Sequence, residues 1–117
     1  MPGYGGRANN RQIWADRWGA IAYDSKTGDM GTAEGQVSKE KAREIALALC
    51  GSTGASQCKV MLAFYNQCAA AVWGMGRLNV SGAPTQEEAE QDAMNRCGGG
   101  SSCQIFYSKC SYAERVR

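Results

Sequence analysis

The chain contains no histidine. Its absence removes the ordinary general base, so a Ser-His-Asp arrangement is excluded and a nucleophilic cysteine would lack its usual proton acceptor. No CxxC pair occurs either, and a zinc site would have to be assembled from four widely spaced thiolates. No apolar run approaches the roughly 18–20 residues that a membrane span requires. The opening MPGYGGRANNRQ lacks the apolar core of a signal peptide, so residues 1–12 read as a flexible leader from which any export address has gone. Thirteen basic and eleven acidic residues are scattered along the chain for a net charge of +2, without the clustered basic stripe of a nucleic-acid binder. Glu114, Arg115, Val116 and Arg117 read as a solvated tail.

What the chain does have is six cysteines in 117 residues. An even, dense cysteine count in a short chain points to a disulfide framework and an oxidising compartment, periplasmic or secreted. The cysteines also repeat. Ser38 to Thr85, Ala42 to Ala89, Ala46 to Ala93 and Cys50 to Cys97 each step by 47, so a three-cysteine unit occurs twice. Its copies span about residues 18–68 and 69–110 of a single domain over residues 13–117.

Each copy reads strand, strand, helix, strand. Residues 18–23 (WGAIAY) are a compact apolar strand, followed by the turn formers SKTGD and a second, glycine-weakened strand over residues 31–36. Ser38 is a helix N-cap, Ala42, Ile45, Ala46 and Leu49 share one helical face, and Gly51 stops the helix after Cys50. Residues 58–67 are apolar on both faces, which predicts a central strand. The second copy opens with a hairpin, residues 69–73 and 77–80 around Gly74-Met75-Gly76. Thr85 and Glu88 at capping-box spacing start its helix, and residues 103–109 form its last strand. The fold class expected is α+β: a duplicated strand-strand-helix-strand unit with pseudo-two-fold symmetry, an antiparallel sheet with two packed helices, and three disulfides.

Six cysteines allow 15 connectivities. The repeat favours Cys50–Cys58 and Cys97–Cys103 as two local staples across Gly/Ser loops, with Cys68–Cys110 left to tie one copy to the other. No metal and no cofactor are expected. The carboxylate pairs Asp24 with Asp29 and Glu87 with Glu88 sit on a turn and a helix start, where turn formation and helix-dipole complementation explain them. The Gly98-Gly99-Gly100 run precedes a strand and lacks the lysine of a phosphate loop.

Most aromatics fall in strands and read as core. Trp14 instead lies in a polar stretch near Arg11 and Arg17, and Trp73, Met75 and Arg77 surround a hairpin tip. Because tryptophan and arginine most often anchor interfaces, Trp14, Arg17, Trp73, Met75 and Arg77 are the candidate partner-binding residues. The alternative for Trp14 is that it covers one sheet edge.

The series WGAIAYD, S-x-E-x-A-x-x-x-A-L-x-x-C, C-K-V-x-x-x-F-x-N-Q-C-A-A-A-V, EEA and a closing cysteine pair resembles the bacterial exported domain-of-unknown-function family 4189, from Trp18 to about Cys110. The resemblance implies a small exported protein, lipid-anchored in some precursors, and supplies no catalytic residues. Two functions are expected of a small, disulfide-stapled chain that lacks catalytic chemistry. The first is a non-enzymatic periplasmic immunity or inhibitor protein that neutralises a toxic bacterial effector. The second is a secreted effector or envelope-associated protein acting on a host or a neighbouring cell. Oligomeric state is open, and an exposed sheet edge would permit strand addition.

Overall fold

A computed structural model describes residues 12–116 of the chain. In chain order the elements are β1 (Trp14–Ala15), β2 (Trp18–Tyr23), β3 (Met30–Gln36), α1 (Lys39–Cys50), a 3-10 turn (Gly51–Thr53), β4 (Lys59–Tyr65), β5 (Gln67–Gly74), β6 (Arg77–Ala83), α2 (Gln86–Cys97), β7 (Gln104–Ser111) and β8 (Glu114–Arg115). The expected α+β architecture is present, with its strands divided between two three-stranded antiparallel sheets of order β3-β2-β4 and β6-β5-β7. In both, the first long strand of the unit is central and the other two flank it.

Period-two alternation in the central strands creates the layers. Ala20 and Ala22 of β2 pack with Ala33, Ala42, Ala46 and Cys50 beneath α1. Ile21 and Tyr23, on the opposite face, meet Ala69, Ala71, Leu78 and Tyr107 of the other sheet. On the far side of β5, Cys68, Ala70 and Val72 pack with Ala89, Ala93 and Cys97 of α2. The stack is therefore helix, sheet, sheet, helix. Alanine dominates both helix–sheet seams, so the helices lie close to the strands. At Gly31 the approach is so close that a Cβ would sit 2.0 Å from the Ala46 carbonyl oxygen.

Both helices begin as their caps dictate. Ser38 Oγ accepts from Lys41 N at 3.1 Å, and Thr85 Oγ1 accepts from Glu88 N at 3.2 Å while donating to Glu88 Oε1. Sulfur–sulfur bonds join Cys50 to Cys58, Cys97 to Cys103 and Cys68 to Cys110.

Three local expectations are corrected. The strand over residues 58–67 is not central: β4 is hydrogen-bonded to β2 alone and forms one edge of its sheet. Its two apolar faces are explained by the layers above and below it, α1 and the second sheet, which say nothing about lateral neighbours. Cys68 does not end the third strand of the first copy. It lies within β5, directly opposite Cys110 of β7, so that bridge staples neighbouring strands of one sheet instead of tying the copies together. Finally, residues 114–115 are not tail. They pair with β1 in the register Trp14↔Arg115 and Ala15↔Glu114, supported by Val116 N donating to Ile13 O at 2.9 Å and by the Arg17–Glu114 ion pair. Residues 1–11 of the expected leader, and Arg117, lie outside the described residues.

Candidate functional site

The hairpin joining β5 to β6 turns through two residues, Met75 and Gly76, with φ of 54° and 77° between the paired residues Gly74 and Arg77. Left-handed φ at both central positions is the type I′ geometry that the twist of a two-residue hairpin demands, and it favours asparagine or glycine at the first position. Methionine stands there instead, 71% exposed. Around it the hairpin is held firmly. Gly74 passes over the Cys97–Cys103 bridge so closely that a Cβ would lie 2.5 Å from Cys97 Sγ. Arg77 donates from Nε to Asn79 Oδ1 at 3.0 Å and from Nη2 to the Arg96 carbonyl at 2.9 Å, anchoring the hairpin to the C-terminal turn of α2.

Two clefts flank the base of this hairpin and share Tyr23 and Leu78 as their common wall. One, of about 280 Å³, is edged by Lys59, Met61, Gly76 and Arg77. The other, of about 210 Å³, is edged by Met30, Trp73 and Phe106 and is almost wholly apolar. The Tyr23 and Trp73 rings, 6.2 Å apart and tilted by 53°, form its floor.

Met61 and Phe106 reach the clefts by the same device. The register of β4 on β2 slips between Ile21↔Leu62 and Ala22↔Val60, and that of β7 on β5 slips between Ala71↔Tyr107 and Val72↔Ile105. Each slip leaves one unpaired residue, Met61 or Phe106, and a bulge re-aims such a side chain. They are 43% and 57% exposed.

Behind the first cleft lies Asp24, almost wholly buried. Its Oδ1 accepts from Lys26 N at 2.8 Å and Thr27 N at 3.2 Å, and its Oδ2 from Gln57 N at 3.0 Å, so one carboxylate holds the β2–β3 turn and the loop entering β4. Burial alone would raise its pKa. The three backbone donors and the charge of Lys26 outweigh that and hold the carboxyl below its ordinary value. The same negative charge, after burial, raises the pKa of Tyr23. Farther along the sheet interface the buried Tyr107 hydroxyl donates to Glu34 Oε2 at 2.8 Å, and burial and that hydrogen bond drive its pKa well above the usual phenol range.

The structure divides the five candidate partner-binding residues. Trp73, Met75 and Arg77 come together at the hairpin end. Trp14 and Arg17 lie past the opposite end of β2, a six-residue strand and so roughly 20 Å away. Trp14 is 58% exposed, and Arg17 is committed to Glu114 Oε1 at 3.0 Å and to the Asp16 carbonyl at 3.1 Å. Tyr23, Met61, Leu78 and Phe106 are site residues that sequence reasoning did not single out. One signal was available: Met61 and Phe106 each stand third after the second cysteine of their unit.

All six cysteines are joined in disulfides, and none is free. Among the described residues no group of three metal-ligating side chains converges. No helix among them is long and apolar enough to cross a membrane.

No curated protein matches the sequence. Among solved structures, the NMR structure of Rv1813c from Mycobacterium tuberculosis is similar, at a TM-score of 0.62 and 26% sequence identity over 81% of this chain and 75% of that one. The domain-of-unknown-function family DUF4189 matches residues 18–110, which takes in both helices, both three-stranded sheets up to Cys110 and all six cysteines, and the chain belongs to that family.

Proposed function

We propose that the chain is a non-enzymatic, extracytoplasmic binding protein whose contact surface is the β5–β6 hairpin end, and that it acts as an immunity or inhibitor protein by seating this end in the cleft of a toxic effector. The observation that carries the reading is Met75. A large apolar side chain is kept exposed at a backbone position that disfavours it, on a hairpin braced by a disulfide and by Arg77. A broken local rule on a rigid support marks functional selection. The exposed Met61 and Phe106 and the half-buried Trp73 extend the apolar surface on either side, as the anchored centre of an interface requires. Three disulfides support an oxidising compartment for the folded protein.

The test replaces Met75 with a photo-crosslinking methionine analogue and captures the partner from periplasmic extract of the producing cell and its competitors. Stoichiometric wild-type protein should abolish the toxicity of the captured effector, and Met75→Asp, at an exposed tip position, should lose that protection while melting as the wild type does. If Met75→Asp protects as well as the wild type, or if the captured protein is no toxin, the inhibitor reading is wrong. Capture of a host protein from host-cell extract instead would support an effector role.

A further inference from the structure

The two copies of the repeat differ at one seam. In the second copy the gap between α2 and the third strand, β7, is filled by polar side chains: Gln86 Nε2 donates to the Ser108 carbonyl at 2.9 Å and to Ser108 Oγ at 3.0 Å, and Ser108 Oγ donates to Glu90. The 47-residue step that relates the helices maps Gln86 and Glu90 onto Lys39 and Arg43 of α1. The 45-residue step that relates Cys58 to Cys103 maps Ser108 onto Ala63. At that seam no side-chain hydrogen bond crosses among the described residues. A groove of about 270 Å³ runs there instead, lined by Lys39 and Arg43 on one side and by Val60, Met61, Leu62 and Ala63 of β4 on the other.

We infer that this groove is a docking site for an extended acidic segment of a partner protein, which adds to the free edge of β4 as a further strand and sets its carboxylates on Lys39 and Arg43. Three observations carry it. The outer edge of β4 is unpaired, and an unpaired edge offers backbone donors and acceptors to an incoming strand. Lys39 and Arg43 are both exposed, form no ion pair among the described residues and stand four apart on α1, on one side of the helix; Lys39 Nζ lies 6.0 Å from the centroid of the Trp18 ring, a contact that leaves its positive charge in place. Glu40 and Glu44 share a separate depression with Arg43 but do not line the groove. The spacing also fits: residues four apart on a helix rise by about 6 Å, and alternate residues of a strand, which share a face, are about 6.7 Å apart. An acidic-x-acidic segment matches both cations.

Charge selects this occupant over the chain itself. β4 carries Lys59 and no acid, so pairing of β4 with β4 of a second copy would bring six cations together, three from each copy. Residues 1–11 contain two arginines and no acid. The groove shares Met61 with the first cleft at the hairpin end, but Lys39, Arg43, Val60, Leu62 and Ala63 do not line that cleft, and the inference does not depend on the function proposed for that end.

The test pans a display library of random linear heptapeptides against the full chain and counter-selects on K39E/R43E. Both substitutions are at exposed positions, and a matched thermal melt checks that the variant folds. Acidic-x-acidic sequences with apolar neighbours should be enriched. A synthetic peptide from the selection should shift amide resonances of β4 and α1, bind K39E/R43E at least tenfold more weakly, and weaken as salt rises. The inference is overturned if no acidic sequences are enriched, if the variant binds them equally, or if the shifts fall on β6 or β7. It is also overturned if the chain forms a concentration-dependent dimer that the peptide dissociates, which would assign the edge to a second copy.

Discussion

Replacing Gly31 by alanine puts one methyl group where α1 rests on β3. The new Cβ would lie 2.0 Å from the Ala46 carbonyl oxygen and 2.3 Å from Cys50 N. Ordinary contact begins near 3.2–3.4 Å, so the helix must retreat by about 1 Å, and because both obstructing atoms are backbone no rotamer change can relieve them. Retreat is resisted as well. Cys50 is bonded to Cys58, and lifting α1 opens the seam in which Ala20, Ala22, Ala33, Ala42 and Ala46 pack. Overpacking a core by small groups costs about 1–3 kcal/mol where side chains can adjust. With backbone against backbone the upper end applies, about 3 kcal/mol, which for a domain of this size corresponds to a fall in Tm of about 12 °C or more. Gly51→Ala provides the matched control: Gly51 follows Cys50 directly, has an ordinary φ of −86°, and its Cβ would meet nothing within 4 Å. That substitution should be neutral or stabilise by up to about 1 kcal/mol through the unfolded chain. Thermal unfolding by circular dichroism, under non-reducing conditions, decides the matter. If Gly31→Ala melts within a degree or two of Gly51→Ala, the close seating of α1 on β3 is wrong.

Tyr107→Phe removes the hydroxyl that joins β7 of one sheet to Glu34 of the other and should cost about 1–2 kcal/mol in urea unfolding, with Glu34→Gln costing less because an acceptor remains. Since the pKa of Tyr107 is raised in the folded state, stability from this group is full below the unfolded value of 10.0 and is lost as pH rises beyond it; Tyr107→Phe should flatten the alkaline limb of the stability profile, and an unchanged limb would contradict the assignment. Asp24 has the opposite sign: its pKa is lowered, so its contribution is present above the unfolded value of 3.8 and disappears as pH falls below it. Asp24→Asn should lower Tm at pH 7 while weakening the acid dependence of Tm, and a variant with the wild-type acid limb would exclude Asp24 as its source. Met75→Asn places a residue suited to the left-handed conformation at the hairpin tip and should raise stability by about 0.5–1 kcal/mol while weakening partner binding; a loss of stability would mean that the Met75 side chain supports the fold.

What was legible in the sequence is what local periodicity and the repeat encode. Ser38 and Thr85 announced both helices because capping is a contact over three residues, and Gly74-Met75-Gly76 announced the hairpin because its turn needs left-handed backbone. The pairing of Cys50 with Cys58 and of Cys97 with Cys103 followed from the repeat, which sets each pair across a short Gly/Ser loop. Lateral position in a sheet is different. The alternation of β4 reports the layers above and below it, and those layers are the same for an edge strand as for a central one. The placement of Cys68 was lost for a related reason, since the chain passes from β4 to β5 through Asn66 alone and composition does not change there. Asn66 does carry the left-handed φ of 54° that such a corner needs, and its Oδ1 accepts from Arg17 N, but an asparagine in an apolar stretch is an ambiguous sign of a break. The bulges that expose Met61 and Phe106 depend on register between strands far apart in sequence.

A duplicated unit carries its own control, because positions that serve only the fold should be equally satisfied in both copies. The alanine seams, the caps, the helix-to-strand disulfides and the bulges meet that criterion. Lys39 and Arg43 do not: their counterparts Gln86 and Glu90 close the helix–strand seam with internal hydrogen bonds, whereas the cations leave theirs open. Met75 departs from the repeat as well, at a tip whose preferred residues are polar. Two of the places where the copies differ in chemistry are thus an apolar, braced protrusion and a cationic helix flank beside a strand edge.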